Sequence, residues 1–293
     1  MTNGFLTHMV AKNRRNKLKW RVSSALLAGI ALLFALQGFT RAENDDHDAL
    51  AITDCGATIG SSGRYFLAND LKQCPAVGVS ITISHVKLEL RGHTIQGAAL
   101  AASMILVNGG AAGLSNIDIE GPGTVTGGIA RIEFDNVHRS RVHNVVVVGN
   151  GDGIDICASD CTNVPTIAAT ASTGNVFSDN VAADNILPGN GISVNGGDYN
   201  SFIHNNLSGN ASDGLLLSNA KNNAARQNTV DANGLNGIEV GVLGSGNTID
   251  HNTALGNGRS GTGGVDLVDQ NNNCTQNSWT NNSFNLNSPV CIM

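Results

Sequence analysis

Residues 200–210 read Asn-Ser-Phe-Ile-His-Asn-Asn-Leu-Ser-Gly-Asn and carry asparagine at the first, sixth and last positions of the unit. The same eleven-residue unit, with all three asparagines, starts at Asn175, Asn223, Asn247 and Asn277. Asparagine suits a corner of the backbone because it tolerates left-handed conformations and its amide bonds to neighbouring main chain. The repeat therefore predicts stacked corners joined by asparagine ladders, with the residues between them, such as Phe202 and Leu207, facing inward.

Each asparagine unit is preceded by a second pattern, a glycine followed by alternating apolar residues. This pattern occupies residues 153–156, 191–194, 214–217, 237–240 and 264–267. Strict alternation after a turn glycine predicts a short β-strand. Fainter versions start near residues 78, 86 and 131. The sequence therefore predicts about eight coils between residues 78 and 292.

This repeat resembles that of the parallel β-helix repeat family in the pectate-lyase-like superfamily, over most of the chain after residue 42. The resemblance implies an all-β fold, a right-handed parallel β-helix of about eight coils with disulfide-closed ends. Such proteins include polysaccharide lyases, glycoside hydrolases, epimerases, phage depolymerases, adhesins and a periplasmic accessory protein of copper-enzyme maturation. The fold alone therefore leaves the reaction open.

The first 42 residues have the composition of an export signal. A basic stretch at 12–21 precedes an apolar run at 22–36, and Thr-Arg-Ala at 40–42 offers a small-residue cleavage site. The apolar run is short for a membrane span, which needs roughly 20 residues, so a cleaved signal is favoured over a retained anchor. Arg14-Arg15 also resembles a twin-arginine signal, which leaves the export route open. We predict a secreted or periplasmic protein with an export signal (1–42), an N-terminal capping segment (43–77) and a β-helix domain (78–293).

The charge balance after residue 42 narrows the choice of partners. Ten Lys+Arg and all 23 Asp+Glu remain there, a net charge of −13. A nucleic-acid partner would need a basic face, which ten scattered cations do not provide. The balance also weighs against a strongly anionic polysaccharide unless calcium or a local arginine cluster intervenes. We expect an extracellular polysaccharide or glycan as partner, no nucleic acid and no membrane span in the mature chain, and leave the oligomeric state open.

All six cysteines follow residue 42 and fall into three sequence-local pairs. An even number in an exported chain favours disulfides over a metal site, since no CxxC or HxxxH spacing accompanies them. We predict the pairs Cys55–Cys74, Cys157–Cys161 and Cys274–Cys291. The first and last of these would close the two ends of the solenoid.

The resemblance implies that a catalytic site would lie on the outward positions of the first strand of each coil. Alignment of the coils gives the column Ser80, a residue near Leu106, Glu133, Asp155, Ser193, Leu216, Glu239 and Asp266. Adjacent coils lie about 4.8 Å apart, so Glu133 and Asp155 are expected to be stacked neighbours. With Arg131 and Asp135 they form the first candidate cluster. Outward carboxylates on strands are also commonly just solvated, and that interpretation competes with a site.

Paired carboxylates suit glycoside hydrolysis, whereas a lyase would need calcium among the carboxylates and a base such as Arg131. No other cofactor is predicted, and the identity of any metal stays open. The second-choice cluster combines Glu239, Arg259 and Asp266. Neither cluster reproduces the motifs expected of polygalacturonases or epimerases, which lowers the weight of the enzyme hypothesis.

Two functions from different classes remain in competition. One is a hydrolase or lyase acting on a polysaccharide through the acidic cluster. The other is a non-catalytic extracellular protein that binds glycans or serves a structural role at a surface. A copper-related function is disfavoured because His204 and His251 share a repeat position but lie two coils, about 9.6 Å, apart.

Overall fold

A computed structural model describes residues 39–41, 48–128, 132–157, 171–186, 189–271 and 274–292. The regular elements in these ranges are β-strands that stack in parallel into a β-helix, as the sequence predicts. In most coils the chain passes through a first sheet and then a second, and five of the coils also contribute a strand to a third sheet. Within the same ranges, no helix is long and apolar enough to cross a membrane.

The strands form three stacked sheets and two short pairs. The first sheet has ten strands: β3 (Ala57–Ile59), β6 (Val79–Ile81), β9 (Ile105–Asn108), β13 (Ile132–Asp135), β17 (Ile154–Cys157), β20 (Ile192–Asn195), β22 (Leu215–Ser218), β24 (Ile238–Val240), β27 (Leu267–Asp269) and β30 (Asn287–Ser288). The second sheet has eleven: β1 (Phe39–Arg41), β2 (Ala49–Ile52), β4 (Gly63–Leu67), β7 (Val86–Glu89), β11 (Ile117–Glu120), β15 (Arg141–His143), β18 (Val176–Ser178), β21 (Ser201–Ile203), β23 (Ala224–Arg226), β25 (Thr248–Asp250) and β28 (Ser278–Thr280). The third sheet has five: β5 (Leu71–Cys74), β8 (Thr94–Ala101), β12 (Thr124–Gly128), β16 (Val146–Val148) and β19 (Val181–Ala183). The short pairs join β10 (Leu114–Ser115) to β14 (Val137–His138) and β26 (Thr253–Ala254) to β29 (Ser283–Phe284).

The β-helix starts earlier than the sequence predicts. Ten strands in the first sheet correspond to ten coils. Of the two beyond the predicted eight, β30 lies at the C-terminal end and β3 at the N-terminal end, where β2 pairs in parallel with β4 and β3 with β6. Residues 49–74, predicted to be part of a capping segment, therefore belong to the solenoid. They lack the asparagine units, so the repeat did not reveal them.

Strand β1 covers the N-terminal edge of the second sheet by pairing antiparallel with β2. It falls inside the stretch that we predict to be the export signal. The basic stretch and the apolar run of that signal lie outside the described residues.

The interior of the coils is filled by inward-facing apolar side chains. Phe134, Phe177 and Phe202 are fully buried, and their successive ring centroids lie 5.4 and 5.5 Å apart. Leu207, which the sequence predicts to face inward, is also fully buried, as is Val230. Burial of one such side chain stabilises a fold by about 1.5–3 kcal/mol. Each coil of the solenoid contributes several buried side chains to the core.

Three asparagine ladders run along the axis, as predicted. The main-chain N and the Nδ2 of Asn180 donate to Oδ1 of Asn205 over 3.0 and 3.1 Å, and Nδ2 also donates to the carbonyl of Val142 over 2.9 Å. Both the donors and the acceptor of a buried amide are thereby satisfied. The ladders comprise Asn175, Asn200, Asn223, Asn247 and Asn277; Asn180, Asn205, Asn228, Asn252 and Asn282; and Asn150, Asn185, Asn210, Asn233 and Asn257.

The left-handed corner falls on the residue before the ladder asparagine, which corrects the expectation that the asparagine itself adopts it. Asp179, His204 and Gln227 precede the middle ladder and have φ values of 56°, 55° and 54°. None of the ladder asparagines, all of which are described, has a positive φ. The asparagines are therefore needed for their hydrogen bonds, while His204 and His251 are exposed corner residues.

The glycines that directly precede β17, β20, β22 and β24 of the first sheet are required because the coils stack closely there. A Cβ on Gly191 would lie 2.5 Å from the carbonyl oxygen of Gly214 on the next coil. That distance is well inside van der Waals contact, so the coils could not approach this closely with a larger residue. Gly191 has no left-handed φ, in contrast to a turn glycine.

Disulfides join Cys55 to Cys74 and Cys274 to Cys291, as predicted. Cys157 is also disulfide-bonded. Its predicted partner, Cys161, lies outside the described residues.

Candidate functional site

Glu133 and Asp155 are paired in register on the adjacent strands β13 and β17 of the first sheet. Inward-facing Ile132 and Phe134 flank Glu133 and are fully buried, which turns the carboxylate to the outer face. Adjacent strands lie about 4.8 Å apart, so the two side chains are direct neighbours. The sequence alignment of the coils predicts this pairing.

Both carboxylates are covered even though they lie outside the apolar core. Glu133 is 9% exposed and Asp155 is 8% exposed. The hydroxyl of Ser103, itself buried, donates a hydrogen bond to Glu133. Burial of a carboxylate costs several kcal/mol unless hydrogen bonds and charges compensate. A solvated surface is therefore not the environment of this pair.

Of the other two residues of the first cluster, Asp135 lies near the pair and Arg131 is not among the described residues. Asp135 ends β13 on the same face as Glu133, half-buried between Asn108 and Cys157 of the neighbouring strands. Arg131, the predicted basic member, lies outside the described residues. Three of the four predicted side chains are thus on two neighbouring coils.

The second-choice cluster is not assembled as the sequence predicts. Glu239 lies in register with Val268, because β27 is shifted by two residues relative to the predicted strand at 264–267. Residues 258–264 form a glycine-rich bulge before that strand, and the alternation of apolar residues continues through it, so the pattern fits either register. The prediction that Glu239 stacks on Asp266 is therefore wrong.

Asp266 is a structural residue at the end of a ladder. It is 2% exposed, and its Oδ1 accepts hydrogen bonds from the main-chain N and Nδ2 of Asn257 over 3.0 and 2.9 Å. Its Oδ2 accepts from the main-chain N of Asn285 and Leu286. Arg259 is exposed, and its guanidinium donates to the carbonyl of Ala232.

Glu239 has an acidic neighbour that the sequence did not reveal, Asp213. Asn236 connects them: its main-chain N donates to Oδ1 of Asp213 over 2.8 Å, and its Nδ2 donates to Oε2 of Glu239 over 2.6 Å. Burial raises the pKa of both carboxyls, and the negative charge of Asp213 raises that of Glu239 further. A carboxyl with a raised pKa can act as a general acid, which makes this pair a second candidate.

A charged network on the outward face of the second sheet was also missed. Its core is Lys87 and Glu89 on β7, Asp118 and Glu120 on β11, and Arg141 and His143 on β15. Arg141 donates to both oxygens of Asp118 over 2.7 Å, and Nε2 of His143 lies 3.1 Å from Oδ1 of Asp118. Nζ of Lys87 lies 2.6 Å from Oε2 of Glu120.

The cations of this network hold its carboxylates ionised. Burial alone would raise the pKa of Glu89, but hydrogen bonds from Arg64, Arg91 and Lys87 outweigh it and bring the pKa to about 2. Burial opposes ionisation of Asp118 as well, and Arg141 and His143 nevertheless lower its pKa. These carboxylates serve as partners for cations and not as proton donors.

Three groups of the network have the chemistry of metal ligands. Ligand atoms of Asp118, Glu120 and His143 all lie within 4.8 Å of one another. Asp118 already pairs with Arg141, and Glu120 with Lys87, so a divalent ion would have to displace two cations. We assign no metal to these residues.

The sequence did contain a signal for this network. Charged residues alternate with apolar ones at 87–89, 118–120 and 141–143, at the period of a strand. The coils that carry them have irregular lengths and lack the asparagine units, so the stretches could not be aligned with one another from the repeat.

Comparisons with known proteins agree with the fold. A family model described as a right-handed β-helix region matches residues 127–288. A search of curated proteins finds no match. Among solved structures, the chain is similar to a mutant of the periplasmic alginate epimerase AlgG, with 13% identity over 75% of this chain and 50% of that one and a TM-score of 0.50. This chain therefore spans about half the length of that protein.

Two further solved structures are similar at a lower level. One is the A-module of the Azotobacter vinelandii mannuronan C-5 epimerase AlgE4, with 16% identity, coverage of 80% of this chain and 78% of that one, and a TM-score of 0.48. The other is the pectate lyase Pel9A, with 13% identity, coverage of 82% and 70%, and a TM-score of 0.42. At these identities the likeness concerns the fold alone.

Proposed function

Because this chain belongs to the right-handed β-helix family, we propose that it is an exported protein that binds a polysaccharide and cleaves or modifies it at Glu133 and Asp155. The periplasmic epimerase of similar structure acts on alginate, which supports a polysaccharide as the substrate class. Its periplasmic location and the disulfides of this chain support export through the predicted signal at residues 1–42.

The observation that carries the proposal is the burial of two register-paired carboxylates outside the core. Glu133 and Asp155 are 9% and 8% exposed on neighbouring strands, and buried acids are costly to desolvate even when they are paired. Such locally unfavourable arrangements are typical of functional sites. Exposed acids in the same protein, such as Asp179, show that its outer face also offers solvated positions.

The spacing of the pair favours one of the reactions open to paired carboxylates. Retaining glycosidases hold their two carboxyl groups about 5–5.5 Å apart, and side chains paired on strands about 4.8 Å apart can reach that separation. Since the Ser103 hydroxyl donates to Glu133, we assign Glu133 the role of nucleophile and Asp155 that of acid. Asp135 would contact the substrate at the end of the same strand. A lyase reaction would instead require calcium bound by these carboxylates and Arg131 as base.

The test is a depolymerisation screen with the purified protein on a panel of polysaccharides, with and without calcium. We expect new reducing ends with retained anomeric configuration, whereas unsaturated products that depend on calcium would indicate the lyase. Glu133→Gln and Asp155→Asn should each lower the rate by roughly 10²–10⁴-fold. Asp179→Asn, at an exposed carboxylate, is the matched control and should leave the rate unchanged.

Two results would contradict the assignment. If Glu239→Gln abolishes activity while Glu133→Gln does not, the site lies at Glu239 and Asp213. If a polysaccharide binds tightly but no product forms under any condition, the protein is a non-catalytic glycan-binding protein.

A further inference from the structure

Thr173, His138 and Asn136 form a chain of hydrogen bonds where the first sheet passes into the second. Oγ1 of Thr173 lies 2.9 Å from Nδ1 of His138, and Nε2 of His138 lies 3.0 Å from Oδ1 of Asn136. His138 and Thr173 are bridged in parallel on adjacent coils. A hydroxyl, an imidazole and an orienting acceptor in this order are the parts of an activated nucleophile.

The direction of each hydrogen bond follows from the surroundings of Asn136. Its Nδ2 donates to the carbonyl of Gly110 over 2.7 Å, so its Oδ1 is the atom that faces His138. Oδ1 can only accept, and Nε2 of His138 must therefore carry the proton. Nδ1 is then the acceptor, and the hydroxyl of Thr173 donates to it. This is the direction that a general base needs in order to take the hydroxyl proton.

The protonation state of the imidazole agrees with this direction. Burial lowers the pKa of His138, and the positive charge of Arg139 lowers it further. The ring is consequently neutral at pH 7 and has a free lone pair at Nδ1.

The main chain holds the three side chains in place. Asn136 is 3% exposed and has a φ of 52°. The N–H of Thr173 donates to the carbonyl of Val137, and the carbonyl of Thr173 accepts from the N–H of Arg139, both over 3.0 Å. Thr173 and His138 are half-buried, so each side of the hydrogen bond keeps part of its surface exposed to solvent. The arrangement is therefore rigid and accessible, as nucleophilic catalysis requires.

We propose that Thr173 is a nucleophile, His138 its general base and Asn136 the residue that orients the imidazole, forming an acyl-transfer site that acts on carboxylic esters. The Thr173 oxygen would attack the ester carbonyl while its proton passes to Nδ1 of His138. The carbon–oxygen bond to the alcohol then breaks, and the alcohol leaves with that proton. Water hydrolyses the acyl-threonine, releases the carboxylic acid and restores the hydroxyl. Electron pairs and protons balance with ester and water as the only reactants.

Arg139 brings a positive charge close to His138, because that charge lowers the pKa of the imidazole. Arg139 is exposed and follows His138 directly. Its side chain crosses the turn after Thr173, since a Cβ placed on Gly174 would be 3.8 Å from Cγ of Arg139. A guanidinium at this turn can stabilise the negative charge of a tetrahedral intermediate. The acyl-transfer site uses none of the residues assigned to the polysaccharide reaction, and its test does not depend on that function.

The probe is p-nitrophenyl acetate, followed by release of nitrophenol and by peptide mass spectrometry. We expect a burst of nitrophenol and one acetyl group on Thr173. Thr173→Ala should remove the burst, Thr173→Ser should retain it, and His138→Gln should slow acylation by roughly 10²–10⁴-fold. Thr229→Ala, at a bridged threonine on another coil, is the matched control and should keep the burst.

Circular dichroism and urea unfolding of each variant separate a loss of reactivity from a loss of fold. The proposal is overturned if a folded Thr173→Ala variant reacts as fast as the unmodified protein, if acetyl is found on another residue, or if no burst occurs. Since the probe contains no sugar, this outcome is independent of the polysaccharide screen.

Discussion

Asp213 lies in a column of corner residues just before the first sheet, in which aspartate and asparagine alternate from coil to coil. Asp152, Asn190, Asp213 and Asn236 occupy this column, and each side-chain oxygen accepts the main-chain N–H of the next coil. Asp213 is 5% exposed and its pKa is raised by burial. An asparagine could make the same main-chain contact without a charge, as its two neighbours do.

We therefore expect Asp213→Asn to stabilise the protein at pH 7, by on the order of 1 kcal/mol. When folding raises the pKa of a carboxyl, the free energy of unfolding falls as the pH rises from the pKa of the unfolded state to that of the folded state. The gain from the substitution should accordingly be largest at neutral pH and vanish below the ordinary aspartate pKa of about 3.9, where both states are protonated. Urea unfolding at pH 7 and at pH 3 measures it.

Asp231→Asn is the matched control. Its Oδ1 also accepts a main-chain N–H of the next coil, from Leu255 over 2.8 Å, but the side chain is half-buried. We expect little change in the free energy of unfolding. A loss of stability in Asp213→Asn at pH 7 would mean that the carboxylate has a favourable contact that outweighs its burial.

Among the elements, the asparagine ladders join neighbouring coils through buried side-chain hydrogen bonds. Asn205 lies in the middle of one ladder, accepts two hydrogen bonds from Asn180 and donates to Asn228 and to the carbonyl of Phe177. Its loss would leave donors and acceptors on both neighbouring coils unsatisfied in the interior. Each such group costs about 1–3 kcal/mol.

Asn205→Ala should therefore lower the free energy of unfolding by about 3 kcal/mol. The adjacent residue Asn206 is exposed, and Asn206→Ala should stay within about 0.5 kcal/mol of the unmodified protein. Urea unfolding followed by circular dichroism compares the two. Equal effects of both substitutions would show that the ladder contributes nothing beyond local turn propensity.

Some structural elements could be predicted from the sequence and others could not. The ladders and the pairing of Glu133 with Asp155 were predictable because they follow from a period and from strand alternation. The register of β27 was not, because the glycine-rich bulge before it lets apolar residues match in two ways. Asp213 was missed because it lies in the corner column and not in a strand, and the contact with Glu239 runs through Asn236.

At the scale of the whole molecule, the two disulfides described lie at the ends of the solenoid. Cys55–Cys74 spans 19 residues, and the chain-entropy estimate for a loop of this size is about 3 kcal/mol. Coils interact only with their neighbours, so this stabilisation should act on the first coils. Cys55→Ala/Cys74→Ala should therefore increase hydrogen exchange in Ala57–Ile59 and Val79–Ile81 and leave Leu215–Ser218 unaffected. Unchanged protection in the first two strands would contradict this.

The charges of the whole molecule are arranged so that few cations are unpaired on the second sheet. Arg64, Lys87, Arg91 and Arg141 all contact carboxylates there. The described part of this face is therefore not a basic surface.

The ladders have one further consequence. From Asn175 to Asn247, every coil presents the same donors to one neighbour and the same acceptors to the other, at separations of 25, 23 and 24 residues. Any of these coils is thus interchangeable with another, and removal of residues 200–222 would bring Asn175 against Asn223 with matching groups. A gene encoding such a chain can lengthen or shorten its product by whole coils through duplication or deletion, while the irregular coils that contain Glu133 and Asp155 keep their structure.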